Sequence, residues 1–178
     1  MTPADLKALI RTVPDFPKAG ILFRDITTLI ANGPGFAATI DLLAEQARGA
    51  GAQAIAGMEA RGFIFGAAVA AQLALPFLPV RKPGKLPVPV LSIDYALEYG
   101  TDTLEVDPDA ITAGQRVVII DDLIATGGTA TAAVQLLRRA GADVQHALFV
   151  IDLPDLGGAD RLRAMDIEVS AVMDFPGH

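Results

Sequence analysis

An α/β fold with a mainly parallel, twisted sheet flanked by helices is what this chain predicts, on three observations. Apolar strand-like segments alternate with segments of helical period. The strands are aliphatic runs rather than alternations, as in "VVII" at 117–120 and "ALFVI" at 147–151, so both of their faces are expected to be covered. Glycine-rich turns stand where strands hand over to helices, most clearly "ATGGT" at 125–129. The 178 residues suit one domain with a sizeable core, and no repeat, low-complexity segment or long linker divides residues 1–178.

Each element follows from local chemistry. Thr2 before Pro3 is an N-cap followed by proline at the first helical position, and it predicts a short helix to about Arg11. Residues 13–27, "VPDFPKAGILFRDIT", are punctuated by Pro14, Pro17 and Gly20 and are expected as a structured loop. Asn32 caps a helix to about Arg48, with Ile40, Leu42, Leu43 and Ala47 as its apolar stripe. "AQAIAGM" (52–58) predicts a buried strand, 62–73 a helix and "FLPV" (77–80) a short strand. Three prolines make "RKPGKLPVP" (81–89) a loop. "VLSIDYA" (90–96) alternates like a strand, and the acid-rich stretch 97–109 is expected as an exposed loop. A strand at 116–120, a turn and a helix to about Ala140 follow, with Gly141 as the C′ residue. A strand at 144–153, a helix near 157–164 and a strand at 167–173 complete the alternation.

Composition excludes several classes. With no cysteine there is neither a disulfide framework nor a thiolate metal site, and a reducing cytoplasm is the plain reading. The N-terminus lacks the basic start and apolar core of a secretory signal. No uncharged apolar run approaches the ~18 residues of a membrane span. A formal net charge of −7 opposes loose nucleic-acid binding but leaves an anionic small molecule possible, because such a ligand responds to local charge. The two histidines, His146 in an apolar strand and His178 at the terminus, have no metal-ligand spacing.

The chemistry concentrates at 117–129. Asp121 and Asp122 are placed at the end of a buried strand, where ligands of open parallel sheets bind. The Ala125–Thr126–Gly127–Gly128–Thr129 turn then opens a helix. Its unpaired N–H groups, its dipole and the two threonine hydroxyls suit a phosphate, and glycine permits close approach. Carboxylates repel phosphate, so the acids must face another part of the ligand. Vicinal hydroxyls accept that role, and Mg²⁺ is also attracted to carboxylates. A phosphorylated ribose carries both features; an ordinary strand–helix turn is the alternative. There is no Walker A motif and no G-x-G-x-x-G.

"VVIIDDLIATGGT" closely resembles the phosphoribosyl-pyrophosphate (PRPP) signature of type I phosphoribosyltransferases. "DFPKAGILFRDIT" (15–27), "GMEARGFIFG" (57–66), "RKPGKLP" (81–87) and "YALEYGTDTLEV" (95–106) resemble the adenine-specific members, and the likeness covers nearly the whole chain in order. It implies the type I phosphoribosyltransferase fold with a small N-terminal hood, roughly residues 1–32. The implied reaction is transfer of ribose 5-phosphate from PRPP to N9 of adenine, giving AMP and pyrophosphate. Mg²⁺ is carried mainly by PRPP, with no metal ligands of the protein's own, and the working unit is a cytoplasmic homodimer without nucleic-acid or membrane partners.

Residue by residue, the resemblance puts the 5-phosphate on Ala125–Thr129 and the ribose hydroxyls on Asp121 and Asp122. Pyrophosphate falls to Glu59, Ala60, Arg61, Arg81, Lys82, Lys85 and Tyr99, with a cis peptide at Glu59–Ala60 and the 81–85 loop reaching a neighbouring subunit. Leu22, Phe23 and Arg24 take adenine, Phe23 stacking on the ring and the backbone of Leu22 and Arg24 reading its edge. Arg24 has a second reading, as the partner of Asp25 or a core acid. Glu98 and Arg61 are the catalytic candidates. Glu98, in a lid with Tyr99, either handles the adenine proton or stabilises a cationic transition state. Asp102, Glu105, Asp107 and Asp109 are expected as solvated loop charges. The family more often has Glu where Asp152 stands, and the C-terminal "MDFPGH" has no assignment. A transferase for 6-oxopurines and a PRPP-sensing regulator are the rivals; "FRDIT" and "LEYG" argue against the first, and the acidic chain without a DNA-binding domain against the second.

Overall fold

The computed structural model describes residues 1–177; His178 lies outside them. Helix α1 (Pro3–Ala8) starts as predicted. The Thr2 side chain accepts from the Asp5 N–H, and the Asp5 carboxylate accepts from the Thr2 N–H at 2.7 Å. It ends before Arg11 because the chain there becomes a strand. β1 (Arg11–Pro14) pairs antiparallel with β2 (Leu22–Asp25), so the expected loop at 13–27 is a hairpin. Both strands are short, β1 mostly exposed and β2 only half-buried, and therefore lack the apolar pattern that announces a strand. An Arg11–Asp25 ion pair at 2.5 Å fastens its open end.

The single turn α2 (Thr27–Ile30) leads to α3 (Gly33–Gly49), capped by Asn32 Oδ1 accepting from the Gly35 N–H at 2.9 Å. β3 (Ala54–Met58), α4 (Arg61–Leu73) and β4 (Phe77–Val80) follow the predicted boundaries closely. β5 (Leu91–Ala96) and β6 (Thr101–Val106) form a second antiparallel hairpin. This corrects the exposed loop expected at 97–109. Leu104 and Val106 are buried in the core, and interleaved acids hide that alternation. Three of those acids are engaged rather than solvated: Asp102 pairs with Lys82, Glu105 accepts from the Gly84 N–H at 3.1 Å, and Asp107 accepts from the Asp109 N–H at 2.9 Å.

β7 (Arg116–Ile124), α5 (Gly128–Arg139), β8 (Asp143–Asp152), α6 (Gly158–Arg163) and β9 (Glu168–Asp174) complete the chain. β7 runs four residues beyond the predicted 116–120, because Leu123 and Ile124 go on pairing with Ile151 and Asp152 of β8. Asp121 and Asp122 thus lie inside the strand rather than at its end.

The central sheet is parallel throughout, in the order β4-β3-β7-β8-β9. Helices cover both faces, as the aliphatic strands require. Val117 and Ile119 pack with Val134 and Leu137 of α5; Val118 and Ile120 pack with Leu43 of α3 and Val69 of α4. After β3 the chain steps outward to β4, then returns to the other side of β3 at β7. The carboxyl ends of β3 and β7 therefore flank the reversal of strand order, where open α/β sheets leave a crevice. The unassigned C-terminus closes on the N-terminal elements: Lys7 and Arg24 lie 4.7 and 4.6 Å from the Phe175 ring centre.

Candidate active site

The crevice is a real one. An open cleft of about 360 Å³ lies there, walled by Glu59–Arg61 after β3, Asp121–Ala130 from β7 into α5, and Lys82 with Tyr95–Glu98 of the second hairpin. The Glu59–Ala60 peptide at its edge is cis.

Asp121 and Asp122 set its electrostatics. Arg61 Nε holds Asp122 Oδ2 at 2.7 Å, with Asp122 nearly sealed from solvent. Asp121 has no such cation; its Oδ1 accepts the Asp122 N–H at 2.9 Å. Burial pushes the Asp121 carboxyl well up, and the adjacent Asp122 charge adds to this. Burial also raises Asp122, while Arg61 pulls it back. Two partly desolvated acids thus wait for groups that relieve them, such as hydroxyl donors or a cation.

Beyond them the 125–129 turn presents backbone donors without partners. Gly127 has φ 82° at the start of α5, which has no side-chain cap. The first helical bond runs from the Thr131 N–H to the Gly127 carbonyl, leaving the donors of Gly128, Thr129 and Ala130 without helical partners. A remote segment holds the turn in shape. The Gly158 N–H donates to the Ala125 carbonyl at 3.0 Å, and a Cβ on Gly127 would stand 2.9 Å from Gly158 Cα.

A second pocket of about 330 Å³ is mostly apolar, lined by Ile21, Leu22, Phe23 and Arg24 of the N-terminal hairpin and by Leu153 and Leu156 after β8. It shares Arg61, Glu98, Leu123, Ala125 and Thr126 with the cleft. Phe16 packs edge-on against Phe23, ring centres 5.1 Å apart, and fixes the face that Phe23 offers.

Some anticipated residues are not brought into the cleft. The Arg81 guanidinium turns to Glu59, donating from Nη2 at 2.8 Å, and the hydrogen bond from Arg81 holds the Glu59 carboxyl below the usual range. Lys85 does not line the cleft. Tyr99 is exposed and stacked under Lys18, 5.0 Å from its ring centre. Arg24 lines the apolar pocket, but its guanidinium donates to Thr12 Oγ1 and the Pro176 carbonyl rather than to Asp25 or a core acid. Asp152 faces Asp174 across β8 and β9; one of its oxygens is buried without a partner, and burial raises its carboxyl.

Comparison with known proteins adds a decisive observation. The family described as phosphoribosyl transferase domain matches residues 27–170. An adenine phosphoribosyltransferase of Novosphingobium aromaticivorans is 73% identical over 178 residues, all of both chains. This chain belongs to the adenine phosphoribosyltransferase family. Its fold agrees: the crystal structure of the Thermoanaerobacter pseudethanolicus family member superposes with a TM-score of 0.92 at 45% identity, covering 98% of this chain and 100% of that one. The Saccharomyces cerevisiae member, solved with an imino-altritol bisphosphate and adenine, gives 0.90 at 37% identity, covering 96% and 97%.

Within this adenine phosphoribosyltransferase scaffold, sequence reasoning missed the contribution of the segment that follows β8. Leu153 and Leu156 close the apolar pocket, Gly158 backs the glycine turn, and Arg161 lines the cleft. All four fall in "DLPDLGGADR". The paired glycines ahead of a helix were the available signal, but the contact that matters, Gly158 on Gly127, joins segments far apart in sequence.

Proposed function

We propose that this protein transfers the 5-phosphoribosyl group of PRPP to N9 of adenine, releasing pyrophosphate and forming AMP. One observation carries the reading: a polar cleft ending in an open helix N-terminus shares a wall with an apolar pocket faced by an aromatic ring. A sugar phosphate and a flat purine are thereby held edge to edge across Arg61, Glu98 and Leu123. The yeast family member, crystallised with adenine, supports the same assignment.

The 5-phosphate sits on the Ala125–Thr129 turn, and Asp121 and Asp122 accept from the ribose hydroxyls. As the C1–oxygen bond to pyrophosphate breaks, positive charge grows on the ring, and these acids stabilise it. Arg61, half exposed and aimed across the cleft, meets the departing pyrophosphate together with Lys82 and the Glu59–Ala60 backbone. Arg81, Lys85 and Tyr99 join only if the 81–85 loop and the hairpin tip rearrange, or act on a neighbouring subunit in a homodimer. Adenine stacks on Phe23 with Leu22 and Arg24 backbone at its edge; N9 attacks C1, and Glu98, on the shared wall, takes up the proton or faces the cation.

The desolvated Asp121–Asp122 pair is the kind of oxygen site that tolerates Mg²⁺ nearby. Carried in with PRPP, the ion would neutralise charge on the pyrophosphate leaving group. We read residues 1–178 as one domain with a hood at about 1–32, acting in the cytoplasm without nucleic-acid or membrane partners; no helix among the described residues is long and apolar enough to cross a membrane. The test is product formation with PRPP and Mg²⁺ against adenine, hypoxanthine, guanine, xanthine and orotate. AMP from adenine alone is expected. Product from a 6-oxopurine overturns the base assignment, and PRPP binding without any product points to a regulator.

A further inference from the structure

Three cations line the cleft: Arg61, Lys82 and Arg161. Two are already claimed by acids, Arg61 by Asp122 and Lys82 by Asp102. Arg161 is not. Its neighbour Asp160 is taken by Arg163 at 2.8 Å, and no carboxylate pairs with Arg161 among the described residues.

Its position is set by the backbone. The Gly158–Ala125 hydrogen bond and the glycine-to-glycine contact fasten the start of α6 against the 125–129 turn. One turn later Arg161 reaches back over α5, with Nη1 3.9 Å from where a Cβ on Gly128 would stand. The guanidinium therefore lies beside the first residue of α5, on the wall of the cleft that Gly127–Ala130 also line.

The unpartnered donors of Gly128, Thr129 and Ala130 and the threonine hydroxyls are neutral. A phosphomonoester carries about −1.5 to −2 charges at pH 7, and in this cleft it would lie beside Asp121, which has no cation of its own. Helix-end dipoles alone are a modest counterweight, whereas an arginine fork matches two phosphate oxygens at once.

We infer that Arg161 is the side-chain cation of the 5-phosphate subsite, closing over the phosphate from α6 and distinguishing phosphorylated from unphosphorylated ribose ligands. This rests on the proposed phosphoribosyl reading and adds to it a residue from outside the glycine turn.

The experiment compares the unsubstituted protein with Arg161→Gln and Arg161→Lys. Calorimetry follows ribose 5-phosphate, AMP, adenosine and pyrophosphate; steady-state kinetics give KM for PRPP and for adenine. Arg161→Gln should weaken ribose 5-phosphate and AMP roughly 10- to 100-fold and raise KM for PRPP similarly. Adenosine, pyrophosphate and KM for adenine should stay within about two-fold. Lysine should recover part of the loss, as a point charge without the fork. Unchanged AMP affinity overturns the assignment. So does a loss shared equally by adenosine and pyrophosphate, which would make Arg161 merely structural. Because ribose 5-phosphate binding is read without turnover, failure of the adenine reading, seen as absence of AMP synthesis, is detected separately.

Discussion

At the scale of single residues, Asp121 shows how the site works against the fold. Its carboxyl is raised above the unfolded value of 3.8 by burial and then by Asp122, so the native state holds that proton to higher pH than the unfolded chain. Stability from this group is therefore greatest at low pH and declines as pH rises from about 3.8 through the raised value. Asp121→Asn should flatten that slope and raise the melting temperature of the ligand-free protein at pH 7, by about 2–4 °C for each kcal/mol relieved. The same change should cut kcat/KM for PRPP roughly 10- to 100-fold, the worth of hydrogen bonds to a charged acceptor. Scanning calorimetry across pH beside kinetics tests both, and a lower melting temperature would contradict the electrostatic account. Gly158 makes the complementary case. A Cβ there would stand 2.4 Å from the Ala125 carbonyl oxygen and 2.8 Å from the Gly127 nitrogen. Backbone on backbone cannot yield by a rotamer change, so Gly158→Ala should lose about 1–3 kcal/mol in urea unfolding and weaken PRPP binding further by spreading the turn. Gly49→Ala, which meets nothing within 4 Å, should leave both unchanged or slightly improve stability.

Elements decide how those residues meet. The β5–β6 hairpin carries Glu98 at its tip and is moored at its side: Lys82 donates to the Tyr95 hydroxyl at 3.2 Å and pairs with Asp102, and Thr129 Oγ1 lies 3.5 Å from the same hydroxyl. That one hydroxyl ties the hairpin both to the 81–85 loop and to the helix that follows the glycine turn. Tyr95→Phe keeps the ring packed on the core but removes the tie. Amide exchange at 96–101 should quicken and kcat should fall by less than about 10-fold, with global stability changed by about 1 kcal/mol or less; unaltered exchange would mean that the tip is held elsewhere. The N-terminal hairpin has an acid-sensitive latch. Hydrogen bonding from Thr27, and then from Arg11, holds the Asp25 carboxyl down at about 2. Its contribution is complete above 3.8 and is lost as pH falls through about 2. Asp25→Asn should thus be less stable than the unsubstituted protein at pH 5, with the gap closing near pH 2, as chemical unfolding at the two pH values would reveal. Neither hairpin was fully legible in the sequence. β1 and β2 are too short to carry a period and neither has a fully buried residue, and in β6 the acids of "TDTLEV" outweighed the buried Leu104 and Val106. The central strands were legible, because burial on both faces leaves an aliphatic run that few other structures need.

For the whole molecule, the cleft and the apolar pocket beside it join parts far apart in the chain: the N-terminal hairpin, the β3–α4 junction, the second hairpin, the glycine turn and the β8–α6 segment. A ligand touching all of them should stabilise the molecule as a unit. At free concentrations of 100 times Kd, AMP should add about 2.7 kcal/mol and raise the melting temperature in one cooperative step. Two separated transitions in calorimetry would show instead that the N-terminal hairpin and the sheet respond independently. Relief of the Asp121 repulsion by ribose hydroxyls is already contained in Kd, so at one fixed AMP concentration the more weakly binding Asp121→Asn should show a smaller ligand-induced rise than the unsubstituted protein.

By itself, the sequence determined the parallel α/β class, the helix caps at Thr2 and Asn32, the Asp-Asp and glycine-turn chemistry, and the family. Each is written in neighbouring residues, through periodicity, capping or motif spacing. Only the tertiary structure decided that β7 carries its acids within the strand and that Glu59 occupies Arg81. It alone stacked Arg24 on Phe175 and placed Arg161 beside the start of α5. These depend on which segments the sheet order brings together, and contacts such as Gly127 on Gly158 leave no local pattern in the chain.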